Sequence, residues 1–118
     1  MNQLFYVDSS VIVKQHIAEI GSSWVIPLMQ PSEKNVFITS LLTKVEVLSA
    51  FNRRLREIAI SLLVYNQISA AFESSSSEHR FVKLEQTVIS ESQRLLEKHP
   101  LRAGDAVQLA SAVVVRTA

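Results

Sequence analysis

The sequence predicts an α/β fold built on a parallel sheet, and three observations carry that prediction. Short apolar runs at 4–7, 36–38 and 81–84 alternate with longer stretches of helical period, the pattern of strands joined by helical crossovers. The runs are continuous rather than alternating, as strands covered on both faces require. Two glycines and three prolines in 118 residues are too few for the many tight turns of a β-sandwich.

The elements follow in order. Leu4-Phe5-Tyr6-Val7 is the first strand, ending at Asp8. Ser9 or Ser10 is placed to cap a helix through Val11, Ile12 and Val13, and Asp8 competes for the same role. Gly21-Ser22-Ser23 restarts the pattern into a second short helix through Trp24, Val25, Ile26 and Leu28, which Pro31 ends. Val36-Phe37-Ile38 is the second strand, with Thr39 or Ser40 as cap of a long helix. That helix carries Leu41, Val45, Leu48 and Phe51 near a 3.6-residue period and runs on through Arg53-Arg54-Leu55-Arg56.

A further helix is expected from Ile58 to about Phe72. Eleven of its 15 residues are apolar, more than one buried stripe needs, which points to cover from a partner or from the domain's own elements. Ser74-Ser75-Ser76-Ser77 is expected as a loop, and Phe81-Val82-Lys83-Leu84 as a third strand. A helix from Gln86 to Lys98 stops at Pro100. Gly104 precedes the last helix, Asp105 to about Arg116, with Ala106, Leu109, Ala110 and Val113 on one face.

Composition narrows the class. The length describes one domain over residues 1–118. The absence of cysteine excludes a disulfide framework, a cysteine nucleophile and thiolate metal sites. Twelve basic against 11 acidic residues leave a net charge of +1, too little for general polyanion binding. No basic leader and no apolar run near the ~20 residues of a bilayer span appears, so a cytoplasmic protein is expected, with no membrane partner. His16, His79 and His99 share no metal spacing and are expected at the surface; Trp24, Phe37 and Phe51 are expected in the core. No P-loop and no G-x-G-x-x-G is present, which leaves nucleotide binding unsupported.

The chain has only two aspartates, and the fold places both where chemistry is done. Asp8 stands at the carboxyl end of the first strand, where open α/β sheets place their ligands. Asp105 opens the last helix, where the macrodipole alone would favour it. Glu46 lies between valines on the helix after the second strand, where an exposed outer face is its simplest explanation. A phosphoacceptor receiver domain would need a further aspartate ending its third strand. A haloacid-dehalogenase-type phosphatase would need one at the position of Ser10. Neither is present.

Taken together the three acidic segments resemble the PIN-domain family. Phe5-Tyr6-Val7-Asp8-Ser9-Ser10-Val11-Ile12-Val13-Lys14 is similar to its opening strand, aspartate and small hydroxyl residue. Thr39-Ser40-Leu41-Leu42-Thr43-Lys44-Val45-Glu46-Val47-Leu48-Ser49-Ala50 resembles its second motif. Leu101-Arg102-Ala103-Gly104-Asp105-Ala106-Val107-Gln108-Leu109-Ala110-Ser111-Ala112 resembles its third. Order and spacing agree along the chain, and the pattern is similar to that of VapC-type toxins of toxin–antitoxin pairs.

The resemblance implies a three-layer fold with helices on both faces of a central parallel sheet. It also implies a metal-dependent endoribonuclease using Mg²⁺ or Mn²⁺, with Asp8 and Asp105 as metal ligands and Glu46 as a ligand or the group that orients the attacking water. Ser10 would bond within the cluster, and Lys14, Lys44 and Arg102 would hold phosphate. RNA as substrate, an antitoxin protein and a second copy of the chain in a homodimer are the implied partners. The family pattern continues into a fourth strand with another acidic residue and a short fifth strand. The sequence ends before them, so the resemblance implies a sheet truncated at the C-terminus. The competing, non-enzymatic expectation is a truncated PIN fold acting only as an antitoxin-binding or dimerising module. Arg53, Arg54 and Arg56 are expected as solvated charges at a helix C-terminus before phosphate contacts.

Overall fold

In the computed structural model, which describes residues 3–117, three strands form a parallel sheet in the order β1-β2-β3. These are β1 (Leu4–Tyr6), β2 (Val36–Ser40) and β3 (Arg80–Val82). Register pairs Phe5 with Phe37 across β1 and β2, and Thr39 with Phe81 across β2 and β3. Six helices connect and cover them: α1 (Ser9–His16), α2 (Ser22–Leu28), α3 (Thr43–Arg56), α4 (Leu62–Ser76), α5 (Gln86–Lys98) and α6 (Ala103–Thr117). The α/β reading with a central parallel sheet flanked by helices holds.

Strand alternation sends successive side chains to opposite faces and so divides the apolar residues into two cores. Phe5 and Phe37 stack at 5.7 Å on one face, where Ile12, Val13, Val47, Phe51 and Phe72 of α1, α3 and α4 close over them. On the other face Val82 joins Val88 and Leu95 of α5 and Ala110 of α6. The two buried alanines of α6, Ala106 and Ala110, let α5 and α6 pack closely. Tyr6 follows Phe5 in β1, and its hydroxyl reaches α6.

Local chemistry sets the helix ends, and here several expectations change. Asp8, rather than Ser9 or Ser10, caps α1, its Oδ1 accepting from the Val11 backbone N–H at 3.3 Å. Thr39 and Ser40 remain in β2. Thr39 bonds Thr43 at 2.6 Å, while Ser40 Oγ accepts from Leu42 N–H in the turn before α3. The expected helix from Ile58 begins instead at Leu62, capped by Ser61.

The residues before it finish α3 in a Schellman motif. Ala59 N–H donates to Arg54 O and Ile58 N–H to Leu55 O, which sets Ile58 at φ 58°, a left-handed conformation suited to glycine. The serine run is not a loop. Ser75, Ser76 and Ser77 donate their hydroxyls to the carbonyls of Phe72, Glu73 and Ser74, and helix continues to Ser76.

Three placements depart from the expected core and surface. Trp24 is 84% exposed, because the short α2 buries Ser22 and Val25 and turns Trp24 outward. His16 sits edge-on to Phe51 and Phe72, and His79 edge-on to Phe37. Both are half-buried rather than at the surface, and only His99 is exposed. Burial holds both imidazoles below their usual pKa, and in His16 the proximity of His79 adds to the effect. Among the described residues no helix is long and apolar enough to cross a membrane.

Candidate active site

The site lies at the carboxyl end of β1, where the strand gives way to α1 and the first turn of α6 arrives beside it. Val7 N–H donates to Ile38 O at 2.9 Å, extending the β1–β2 ladder up to Asp8. Asp8 is extended (φ −93°, ψ −179°), and its Oδ1 accepts from Ser10 Oγ at 2.6 Å as well as from the helix N–H. One carboxylate oxygen is thus spent on capping. Among the described residues no hydrogen bond engages Oδ2. The structural role and a site role therefore use different atoms of one side chain.

Asp105 stands in the first turn of α6, exposed, where the helix dipole favours a negative charge. It and Asp8 line one cleft of about 420 Å³ with Tyr6, Ser10 and Gln108. Residues 97 positions apart in sequence are thereby brought to one opening. Glu46, in the first turn of α3, lines the adjoining groove of about 410 Å³ with Ser9, Ser10, Ser49 and Arg53. Ser10 borders both. Among the described residues no group of three acidic or histidine side chains converges closely enough to hold a metal ion.

Glu46 is half-buried and held in place. Its Oε1 accepts from Gln108 Nε2 at 2.7 Å, and its Oε2 lies 2.8 Å from where a Cβ on Gly104 would stand. Gly104 is therefore required for room beside the carboxylate, since any side chain there would press on Glu46. Gln108 also donates to Thr43 Oγ1 at 2.9 Å and accepts from the Tyr6 hydroxyl at 2.8 Å. Burial, with a smaller contribution from the negative charges of Asp8 and Glu46, pushes the Tyr6 hydroxyl up to about 12. It is a proton donor throughout the physiological range.

Tyr6, Thr43, Gly104 and Gln108 were not singled out as site residues by sequence reasoning. The available signal was Gln108 and Ser111, three apart and polar, within an otherwise apolar stretch continuing the spacing of Asp105.

The cations divide by what they touch. Lys14 lies 3.5 Å and Arg54 2.8 Å from the two oxygens of Glu19, so that glutamate draws both charges together at the groove wall. Lys44 sits 4.8 Å above the Phe81 ring. Arg102 and Arg53 are exposed, Arg102 just before α6 and Arg53 at the groove lined by Glu46. Chemically, the cleft offers the carboxylates of Asp8 and Asp105 and the hydroxyls of Tyr6 and Ser10, an oxygen-rich set that suits a hard cation.

A family model described as the PIN domain matches residues 5–117. No functionally curated protein matches the sequence significantly. A solved structure, a toxin–antitoxin complex from Klebsiella pneumoniae, contains a chain of similar fold. The TM-score is 0.64 at 16% identity, covering 98% of this chain and 81% of that one. With the family match spanning nearly the whole sequence, this chain belongs to the PIN-domain family.

Proposed function

We propose that the chain is a metal-dependent endoribonuclease, the toxin component of a VapBC-type toxin–antitoxin pair, hydrolysing RNA phosphodiester bonds. The observation that carries the reading is the shared cleft of Asp8 and Asp105 with Glu46 fixed beside it. Membership of the PIN-domain family, whose members are generally nucleases, supports it, as does the fold shared with a chain of a toxin–antitoxin complex.

The donor set fits Mg²⁺ or Mn²⁺. Mg²⁺ is commonly held by only one or two carboxylates and keeps several waters for exchange with substrate phosphate, so a third converging acid is not required. Asp8, through Oδ2, and Asp105 are the ligands in this reading. The bound ion would lower the pKa of a water and offset charge developing on the scissile phosphate. The protein's own contribution is placement. Ser10 and the α1 backbone fix Asp8, the first turn of α6 fixes Asp105, and Glu46 is a ligand or orients the attacking water. The adjoining groove gives an RNA strand a path from Glu46 towards Arg53, with Arg102 and Lys44 as further phosphate contacts and Lys14 at the groove's Glu19 wall.

A protein partner fits the same chain. Leu62, Leu63 and Val64 at the start of α4 are 61%, 66% and 37% exposed, an apolar end that an antitoxin segment or a second copy in a homodimer would cover. The non-enzymatic reading keeps only this surface. The test is RNA cleavage by purified, antitoxin-free protein with Mg²⁺ or Mn²⁺. The enzyme reading expects cleavage that Asp8→Asn or Asp105→Asn abolishes, whereas intact RNA and no metal binding would leave the interaction module. A reading frame for a small DNA-binding antitoxin upstream of the gene would support the pairing.

A further inference from the structure

An uncharged side chain occupies the centre of the site. Gln108 is 7% exposed, and its amide makes three hydrogen bonds: Nε2 donates to Glu46 Oε1 and Thr43 Oγ1, and Oε1 accepts from Tyr6. An ionised carboxylate only accepts, so the amide nitrogen must face Glu46; the flipped amide would set two acceptors against each other. Tyr6 fixes the opposite side as a donor, and Thr43, bonded to Thr39, fixes the third contact. One amide therefore ties β1, α3 and α6 together around the Glu46 carboxylate.

The position of that carboxylate is as informative as its partner. Gln108 lines the Asp8–Asp105 cleft, whereas Glu46 lines the adjoining groove. Its Oε1 is engaged by the amide, its Oε2 lies 2.8 Å from where a Cβ on Gly104 would stand, and no three acids converge among the described residues. We infer that Gln108 is a positioning residue that holds Glu46 beside the aspartate cleft but outside the inner shell of a cation bound there. Glu46 so held orients the attacking water by hydrogen bonding rather than binding the ion. This rests on the metal-dependent ribonuclease reading given above.

The experiment titrates the purified full chain with Mn²⁺ alone and measures kcat and KM for RNA cleavage, on wild type, Asp8→Asn, Asp105→Asn, Glu46→Gln and Gln108→Met. The expectation is that Mn²⁺ affinity falls at least about tenfold in the aspartate variants but stays within about threefold in Glu46→Gln and Gln108→Met. Gln108→Met lowers kcat by about 10- to 100-fold with KM nearly unchanged, a split that a general loss of packing does not give. Glu46→Gln carries the titration if Gln108→Met does not fold. A loss of Mn²⁺ affinity in Glu46→Gln equal to that in Asp8→Asn overturns the inference, as does an unchanged kcat in folded Gln108→Met. Wild-type protein that neither binds Mn²⁺ nor cleaves RNA overturns the ribonuclease reading itself.

Discussion

Replacing Gly104 with alanine is the sharpest structural perturbation of the site, because two opposed effects of known size meet at one atom. In an ordinary helix the change stabilises by up to about 1 kcal/mol. Here the new Cβ would lie 2.8 Å from Glu46 Oε2, about 0.6 Å short of ordinary contact at 3.4 Å. Glu46 is a flexible side chain and would retreat, but its other oxygen is held at 2.7 Å by Gln108, so retreat stretches or breaks that bond. A hydrogen bond to a charged group contributes about 1.5–3 kcal/mol, which exceeds the helix gain. The expected net result is destabilisation of about 0.5–2 kcal/mol, read as a lower urea midpoint at unchanged slope. In a Glu46→Ala background the obstruction is gone, and Gly104→Ala should then stabilise by about 0.5–1 kcal/mol. Equal stabilisation in both backgrounds would refute the fixed carboxylate.

Three further outcomes are expected. Asp8→Ala should cost about 1 kcal/mol through loss of the α1 cap, whereas Asp8→Asn keeps a capping oxygen and should unfold within about 0.5 kcal/mol of wild type, as urea titration checks. Ile58→Gly should stabilise by about 1 kcal/mol, since Ile58 is 89% exposed and sits at a left-handed φ; a lower midpoint would contradict the Schellman geometry. Melting temperature should fall as pH drops through and below about 6.5, the ordinary histidine value. His16 and His79 have depressed pKa values when folded, so the unfolded chain binds more protons there, and the stability present above that value is lost on acidification. A His16→Phe/His79→Phe double variant should show a flatter profile by the same scan.

What was legible in the sequence follows from how local each signal is. β1, β2 and the helices after them were readable because apolar runs and helical periods act within a few residues. Asp8, Glu46 and Asp105 stand out as candidates in the sequence because each lies at a strand end or near a helix start, and the roles given to them are those proposed above. Trp24 was misplaced because a single aromatic carries no period; α2 is only seven residues long and buries Ser22 and Val25 instead. His16 and His79 lie in polar stretches, and their burial comes from Phe51, Phe72 and Phe37, which sequence does not place beside them. Gln108 escaped for the same reason, since its partners Tyr6, Thr43 and Glu46 lie 62 to 102 positions away. Ser74–Ser77 misled because serine is common in loops, while here its hydroxyls bond back to carbonyls within the helix.

The most direct test of the proposed activity is the divalent-metal dependence of RNA cleavage by the wild type beside Asp8→Asn, with both proteins shown to be equally folded. A metal-dependent ribonuclease cleaves RNA as wild type only with Mg²⁺ or Mn²⁺ and stops on chelation, and Asp8→Asn, whose cap and stability are expected to be retained, leaves the RNA intact. Cleavage that persists in Asp8→Asn, or wild-type cleavage indifferent to chelation, would contradict it.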